Sequence, residues 1–510
     1  MIQWKNFAGT MINQHLSNEI LLQLSDVVAS RLGLHFPKER LGDLERGINK
    51  AIKRFNLADD EEAVQTLLSP DLSKKQLEIL ASYLTVGETY FFRDTKLFDS
   101  LKNQILPELI NSKRGSDQRL RIWSAGCCTG EEPYSIAILL KDLIANLDEW
   151  NITLLASDIN PDFLNKMKTG KYGKWSFRNT NEEIIRKHFT VVADNQFEIH
   201  DTIRKMVIPS YLNLAEDVFP SLHNNTNAMD IIICRNVLMY FTPATTERVI
   251  RQFHRSMVDN GLLIVSPSET SHTNFSMFSI VDLPGVMLYK KMEKSARQIT
   301  QIDIPPPVVM HNENPDADIF SDVKINLPQN FIATETGSPI LAHTEEETKS
   351  ASYRKAKEYN KLGLYPEALS EVQEYLKNHI EDSKAYALMS RILANQGKLR
   401  EAFAWCEKAI LLDKLNPYNQ YLLATILQEQ KRLADALVSL KRAIYLDQRF
   451  VLAHLAMGNV SAQLGNKSES LKSFRNAIEL LQYYEPHTQL PESDGMTAER
   501  LIEIIQSVTA

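Results

Sequence analysis

Only four of the 510 residues are cysteine (Cys127, Cys128, Cys234 and Cys406), and none stands at a metal-ligand or disulfide-framework spacing. A disulfide-stapled scaffold is thereby excluded, no metal site is expected, and a reducing, cytoplasmic setting is implied. No run of about twenty apolar residues occurs, so no membrane-spanning helix is expected. The first thirty residues have no apolar core behind basic residues, so no secretory signal is read there. Positive charge is not in excess either. A net charge of −7 disfavours a general nucleic-acid binder and leaves only a local basic patch open. What is present is ordinary for a globular chain: 44% hydrophobic and 24% charged residues, in a length that implies about two to four domains.

The stretch Leu120-Arg-Ile-Trp-Ser-Ala-Gly-Cys-Cys-Thr-Gly-Glu-Glu-Pro-Tyr-Ser-Ile-Ala137 organises the rest. A short apolar run reads as a buried strand, Gly126 and Gly130 punctuate a small-residue turn, and Glu131, Glu132 and Pro133 open a helix. Strand, glycine turn and helix open a doubly wound α/β domain, whose ligand crevice lies at the carboxyl ends of the strands. The turn lacks the G-x-G-x-x-G pattern, and an acid at the helix mouth repels a pyrophosphate. A ligand that is cationic there fits instead, and S-adenosylmethionine, with its sulfonium and amino groups, is such a ligand. The other reading is an ordinary βα turn with glycines for geometry.

Before this unit, residues 10–85 read as all helix. Arg46, Lys50, Lys53 and Arg54 fall at i, i+4, i+7 and i+8 and so share one helix face, either a docking face for an acidic partner or a solvated surface. Thr89 and Arg93 stand four apart around an aromatic pair, Phe91 and Phe92. After it, Ile152–Asp158 reads as a second parallel strand ending in an acid. Asp158 suits two ribose hydroxyls, although Asp158 or Asn160 could equally cap the helix begun by Pro161. A strand ending near Asn213-Leu214, another at Ile231–Cys234 with Arg235 and Asn236 at its tip, and further strands at Gly261–Val265 and Val286–Tyr289 complete a mostly parallel sheet.

The pattern is lost from 293 to 348. Three consecutive prolines begin at Pro305, and between His311 and Ser350 eight acids face only Lys324 and Lys349. That composition implies a disordered, extended linker. From 349 to 484 small residues return at a period of 34: Gly363, Gly397 and Gly465, with Lys431 in the skipped slot; Ala368, Ala402, Ala436 and Ser470; Tyr375, Ala409, Ala443 and Ala477. The period is that of the tetratricopeptide (TPR) repeat, four helix–turn–helix units stacking into a solenoid with a concave binding surface. A tether followed by a self-contained array implies that residues 1–292 fold and bind cofactor without the repeats.

Four ordered motifs then carry a family likeness. Thr89-Tyr-Phe-Phe-Arg93, Trp123-Ser-Ala-Gly…Thr129-Gly-Glu-Glu-Pro-Tyr-Ser-Ile-Ala137, Ala156-Ser-Asp158 and Cys234-Arg-Asn-Val…Tyr240-Phe241 resemble the CheR family of chemotaxis protein methyltransferases, over about residues 10 to 292. The resemblance implies a small all-α domain (10–85), a Rossmann-like S-adenosylmethionine methyltransferase domain (86–292) and, with the tail, an all-α TPR solenoid. It implies methyl transfer from S-adenosylmethionine to glutamate side chains of chemoreceptors. By that pattern Gly87, Thr89, Arg93, Glu131, Asp158, Asn213, Leu214, Arg235 and Asn236 hold the cofactor, Glu131 at its amino-acid portion and Asp158 at its ribose. Arg93, Arg235 and Tyr240 serve the transfer; the docking reading of the basic face, made from its spacing, gives it the receptor as partner. Gly87 stands where the family pattern has an asparagine, and Ser266-Pro267 replaces a Gly-His pair. A glutamate carboxylate is ionised at neutral pH and is already a nucleophile, so no general base is required. The competing expectation is a catalytically silent scaffold acting through its repeats; on either reading the repeats' expected ligand is a signalling protein.

Overall fold

The computed structural model describes residues 16–55, 60–69, 72–116, 118–222, 224–270, 275–283, 286–292, 343–493 and 495–509. The linker read at 293–348 falls outside these except for its last six residues, which are helical: the helix His343–Lys361 begins within the stretch assigned to the linker.

Four helices, Asn18–Leu32, Leu41–Ile52, Asp60–Leu68 and Lys74–Leu84, form the N-terminal unit. Leu24, Leu44, Ile48, Leu67, Leu80 and Ala81 close its core. The ten strands are β1 (Arg119–Ala125), β2 (Asn151–Asp158), β3 (Lys171–Gly173), β4 (Phe189–Ala193), β5 (Gln196–Ile199), β6 (Val207–Tyr211), β7 (Met229–Ile233), β8 (Met257–Ile264), β9 (Phe278–Leu283) and β10 (Val286–Lys291). Seven of them make one sheet in the order β6-β2-β1-β7-β8-β10-β9. The first five are mutually parallel, and β10 and β9 are antiparallel additions. Every residue of β1 and of β7 is buried, as befits central strands covered on both faces, and the polar members Arg119, Arg121, Ser124 and Asp230 are buried along with the apolar ones. The small antiparallel sheet β3-β5-β4 was not expected from the sequence, nor was β9. The chain adds β2 and β6 on one side of β1 and then returns to add β7 on the other, so β1 is the switch point at which such sheets bind ligands.

Eight helices between His343 and Leu481 pair into the four repeats. The alanines at the 34-residue period are buried: Ala368, Ala402, Ala409, Ala436, Ala443 and Ala477 lie wholly within the helix pairs. A twelve-residue helix that sequence reading did not assign, Ala498–Thr509, follows them.

The repeats are not a separate body. Their inner turns rest on the methyltransferase sheet at the end opposite the strand tips. A Cβ at Gly363 would stand 2.9 Å from the Arg255 side chain, and one at Gly397 would stand 2.8 Å from the Arg119 guanidinium. In the third turn Lys431 takes the glycine's left-handed conformation (φ 59°) and donates to the Trp150 carbonyl at 2.6 Å. The non-glycine in that slot is thus a docking contact. Beside it, Glu429 Oε2 accepts from Arg121 Nη1 at 2.7 Å and Arg119 Nη2 at 3.0 Å, with all three side chains buried. Leu222, from the methyltransferase side, completes the core of the first repeats. The array is thus docked against the methyltransferase unit.

Candidate active site

A cavity of about 990 Å³, solvent at its mouth included, opens where the carboxyl ends of β1, β2, β6 and β7 converge. Each strand delivers residues by the turn that ends it. After β1 the chain turns back at Gly126, whose φ of +77° and approach to Val237 leave no room for a side chain. Cys127 and Cys128 follow on the cavity wall; burial pushes the Cys128 thiol up to about 12 and Cys127 well above its usual range, so both are neutral thiols at physiological pH. β2 ends in Asp158, β6 leads to Leu212, Asn213 and Leu214, and β7 leads to Arg235 and Asn236. Leu32, Leu34, Leu84, Thr85 and Val86 of the N-terminal unit and its connection roof the cavity, and Tyr240 lies beneath them, its carbonyl accepting from His35 N at 2.7 Å.

Asp158 resolves the choice left open above. Its Oδ2 accepts from Cys128 N and its Oδ1 from Asn160 N, both at 2.8 Å, while the helix Pro161–Thr169 is capped by Asn160. The carboxylate therefore ties two turns together and is not the helix cap. Burial, opposed by these N–H groups, pushes its carboxyl up to about 6. Each oxygen keeps lone-pair capacity for a further donor.

The two acids after Gly130 divide differently from expectation. Glu131 turns inward, accepting from Thr129 Oγ1 at 2.6 Å and Ser176 Oγ at 3.0 Å, and does not line the cavity. Glu132 does; it accepts from Ser124 Oγ at 2.7 Å and lies 3.7 Å from Arg235 Nη1. Burial raises the Glu132 carboxyl, with the Arg235 charge opposing. Of the two acids it is therefore Glu132, not the expected Glu131, whose side chain lines the cavity, while Glu131 is held by Thr129 and Ser176.

Thr89 and Arg93 both line the cavity, although the segment is a turn and not a helix: Phe92 adopts φ 55° and Asp94 φ 74°. Arg93 Nη1 donates to the Glu88 carbonyl at 2.6 Å. Gly87 does not line the cavity, and a Cβ there would stand 2.8 Å from the Phe163 ring, which does. The glycine thus accommodates a phenylalanine on the wall, and a side chain in its place would displace that ring. Arg235 is nearly enclosed. It reaches Asp94 Oδ2 at 2.9 Å and the Arg93 carbonyl at 3.0 Å, while its Nε is buried without a hydrogen-bond partner.

Sequence reading undervalued Glu269. Its carboxylate accepts from Asn236 N, Val237 N, Met239 N and Ser266 N and so holds the Arg235–Tyr240 turn in place. Ser266-Pro-Ser-Glu269 is a capping box, a signal readable in the sequence that was eclipsed by the departure at Ser266-Pro267.

The basic face is partly retained. Arg46, Lys50, Lys53 and Arg54 are all exposed, but the helix ends at Ile52, so the last two lie beyond it. Arg46 pairs with Asp43, and Arg54 hydrogen-bonds Tyr83.

The arrangement fits a nucleoside bearing an amino-acid arm. Asp158 offers a buried acceptor, Glu132 an anionic contact, Arg235 an unsatisfied donor, and leucine, isoleucine and phenylalanine side chains an apolar wall.

Comparison with known proteins agrees. The family model described as "CheR methyltransferase, SAM binding domain" matches residues 87–287, and a tetratricopeptide repeat matches 383–414. The chain is similar to the chemotaxis protein methyltransferase of Borreliella burgdorferi, with 30% identity over 265 residues, 52% of this chain and 92% of that one. With chemotaxis protein methyltransferase 2 of Vibrio cholerae the identity is 32% over 271 residues, 52% and 91% of the two chains. It is also 28% identical over 274 residues to the probable biofilm formation methyltransferase WspC of Pseudomonas aeruginosa, covering 53% of this chain and 62% of that one. S-adenosylmethionine is accordingly the cofactor. On this match of sequence, the chain belongs to the CheR family, S-adenosylmethionine-dependent methyltransferases of chemosensory signalling.

Proposed function

We propose that the chain methylates glutamate side chains of chemoreceptor cytoplasmic domains, forming glutamyl methyl esters. The observation that carries this reading is the chemistry of the cavity wall. Among its described residues there is neither histidine nor lysine, its two thiols are neutral, and its carboxylates are already engaged, Asp158 by two backbone N–H groups and Glu132 by Ser124 and Arg235. The residues on the wall therefore suit an acceptor that needs no deprotonation, and a glutamate carboxylate is one. S-adenosylmethionine supplies an electrophilic methyl group. Thr89, Asp158, Asn213, Leu214, Arg235 and Asn236 hold and orient the cofactor, with Glu132 in the part first assigned to Glu131. Arg93 and Arg235 draw the acceptor carboxylate by charge, and Tyr240 orients it. Their contribution is alignment, which exposed solvent would degrade. Lys50 and Lys53 are the open part of the receptor-docking face. A signalling protein is the proposed partner of the repeats.

The test is incubation of the full chain and a purified receptor cytoplasmic domain with S-adenosylmethionine labelled in the methyl group. A glutamyl methyl ester releases volatile methanol in mild alkali. Label that enters the receptor and survives alkali would move the acceptor away from a carboxylate, and no label at all would favour the silent scaffold.

A further inference from the structure

The segment after the fourth repeat turns back over the array. Leu490, Met496, Ala498, Leu501 and Ile505 are buried in the core of the last repeats. Glu492 Oε2 accepts from Arg391 Nη1 at 2.9 Å, on the first helix of the second repeat. The opposite side of the helix Ala498–Thr509 faces the methyltransferase sheet at its edge strand β6, and one side chain there reaches the end of the strand. Arg500 Nη2 donates to Asp217 Oδ2 at 2.8 Å and to the Tyr211 carbonyl at 3.1 Å. Its guanidinium carbon lies 5.0 Å from the Tyr211 ring centroid, and its Nη1 pairs with Glu503 at 2.9 Å.

These contacts bracket a functional turn. Tyr211 pairs in register with Asp158, and Leu212, Asn213 and Leu214 are cavity wall. Asp217 Oδ2, the oxygen held by Arg500, also accepts from Asn213 N at 2.6 Å, and Asp217 N donates back to the Asn213 carbonyl at 2.8 Å. Residues 212–217 have no helical or strand ladder of their own, so their path depends on such side-chain bonds. A planar guanidinium bridges the strand end and the turn end at once, which a lysine ammonium on a flexible stem does less well.

We infer that Arg500 is a positioning residue of the cofactor site: through Asp217 it fixes the Asn213-Leu214 wall, so the C-terminal helix completes a pocket it does not itself line. The inference rests on the assignment of that wall to the cofactor.

The experiment is calorimetric titration of the full chain with S-adenosylhomocysteine, with thermal melts of the same samples, for the parent, Arg500→Ala, Arg500→Lys and Asn213→Ala. Arg500→Ala is expected to weaken binding roughly tenfold at a temperature where the melt shows folded protein, with Arg500→Lys between it and the parent. Parent-like affinity in Arg500→Ala with a lowered melting temperature would mean that Arg500 only ties down the tail, and the inference fails. If Arg500→Ala does not fold, Arg500→Lys decides: weakened affinity supports positioning and parent-like affinity overturns it. Parent-like affinity in Asn213→Ala would remove the wall from the cofactor site, so the underlying assignment would fall with the inference; Asn213→Ala weakened and Arg500→Ala unchanged would sink the inference alone.

Discussion

Glu429→Ala should be the most damaging single change in the repeats, although it touches neither cofactor nor receptor. The carboxylate sits between two guanidiniums at 2.7 and 3.0 Å, with the Arg121, Arg119 and Glu429 side chains only 2%, 7% and 9% exposed. Arg121 cannot withdraw, because it also donates to the Asn225 and Asn227 carbonyls from within the sheet. Removing the acid leaves two buried cations facing each other without their shared anion. Breaking a buried pair in this way costs about 3–5 kcal/mol, enough to move a urea midpoint by roughly 1–2 M. Glu429→Gln keeps an acceptor but not the charge and should lose less. Unfolding is followed by tryptophan fluorescence, since Trp150 lies at the docking surface and Trp405 inside the repeats. The pH dependence has a definite sign. Burial raises the Glu429 carboxyl, but Arg121 and Arg119 outweigh it and hold it below its ordinary value. A depressed folded pKa stabilises above the unfolded pKa and is lost as pH falls through the folded one. The difference between parent and variant should therefore be constant from about pH 8 to 5 and shrink only in stronger acid. A Glu429→Ala protein with the parent's midpoint would refute the reasoning, because the docked arrangement would then not depend on the ion pair.

The remaining expectations concern the site and its surface. Asp158→Ala should weaken S-adenosylmethionine binding by tenfold or more, since charged hydrogen bonds are worth about 1.5–3 kcal/mol, and should lower the melting temperature as two turns lose their tie. Because burial raises the Asp158 carboxyl to about 6, the parent's cofactor affinity should decline as pH falls below that value, which calorimetry at pH 5 and 7.5 would show. Glu132→Gln should cut cofactor affinity several-fold while Glu131→Gln mainly lowers stability through its lost Thr129 and Ser176 bonds; the opposite pattern would return the contact to Glu131. Reversing Lys50 and Lys53 to Glu should raise the apparent KM for receptor and leave cofactor binding alone, and added salt should mimic the effect in the parent. Equal receptor methylation by parent and double mutant would make the face mere solvated surface.

The sequence by itself determined the parts that depend on local order along the chain. The apolar runs of β1 and β7 could only be buried central strands. The glycine turn before Glu131 placed the crevice at their carboxyl ends, and the 34-residue recurrence of small residues specified helix pairs. These features need neighbours within a few residues, or one repeat away, and their side-chain types alone enforce them. Tertiary structure decided which member of an ambiguous pair does what. Glu131 and Glu132 are chemically identical, and only the rotation of the helix at Gly130 sends one inward and the other to the cavity. Asp158 and Asn160 could each cap a helix, and only the proximity of Cys128 N shows which one is otherwise engaged. Lys431, an irregularity in the repeat, became intelligible once Trp150 was found against it. The contacts of Glu429 with Arg121 and of Arg500 with Asp217 join residues some three hundred positions apart. No local pattern encodes such pairs, because an acid on a repeat turn looks the same in sequence whether water or a buried arginine lies opposite.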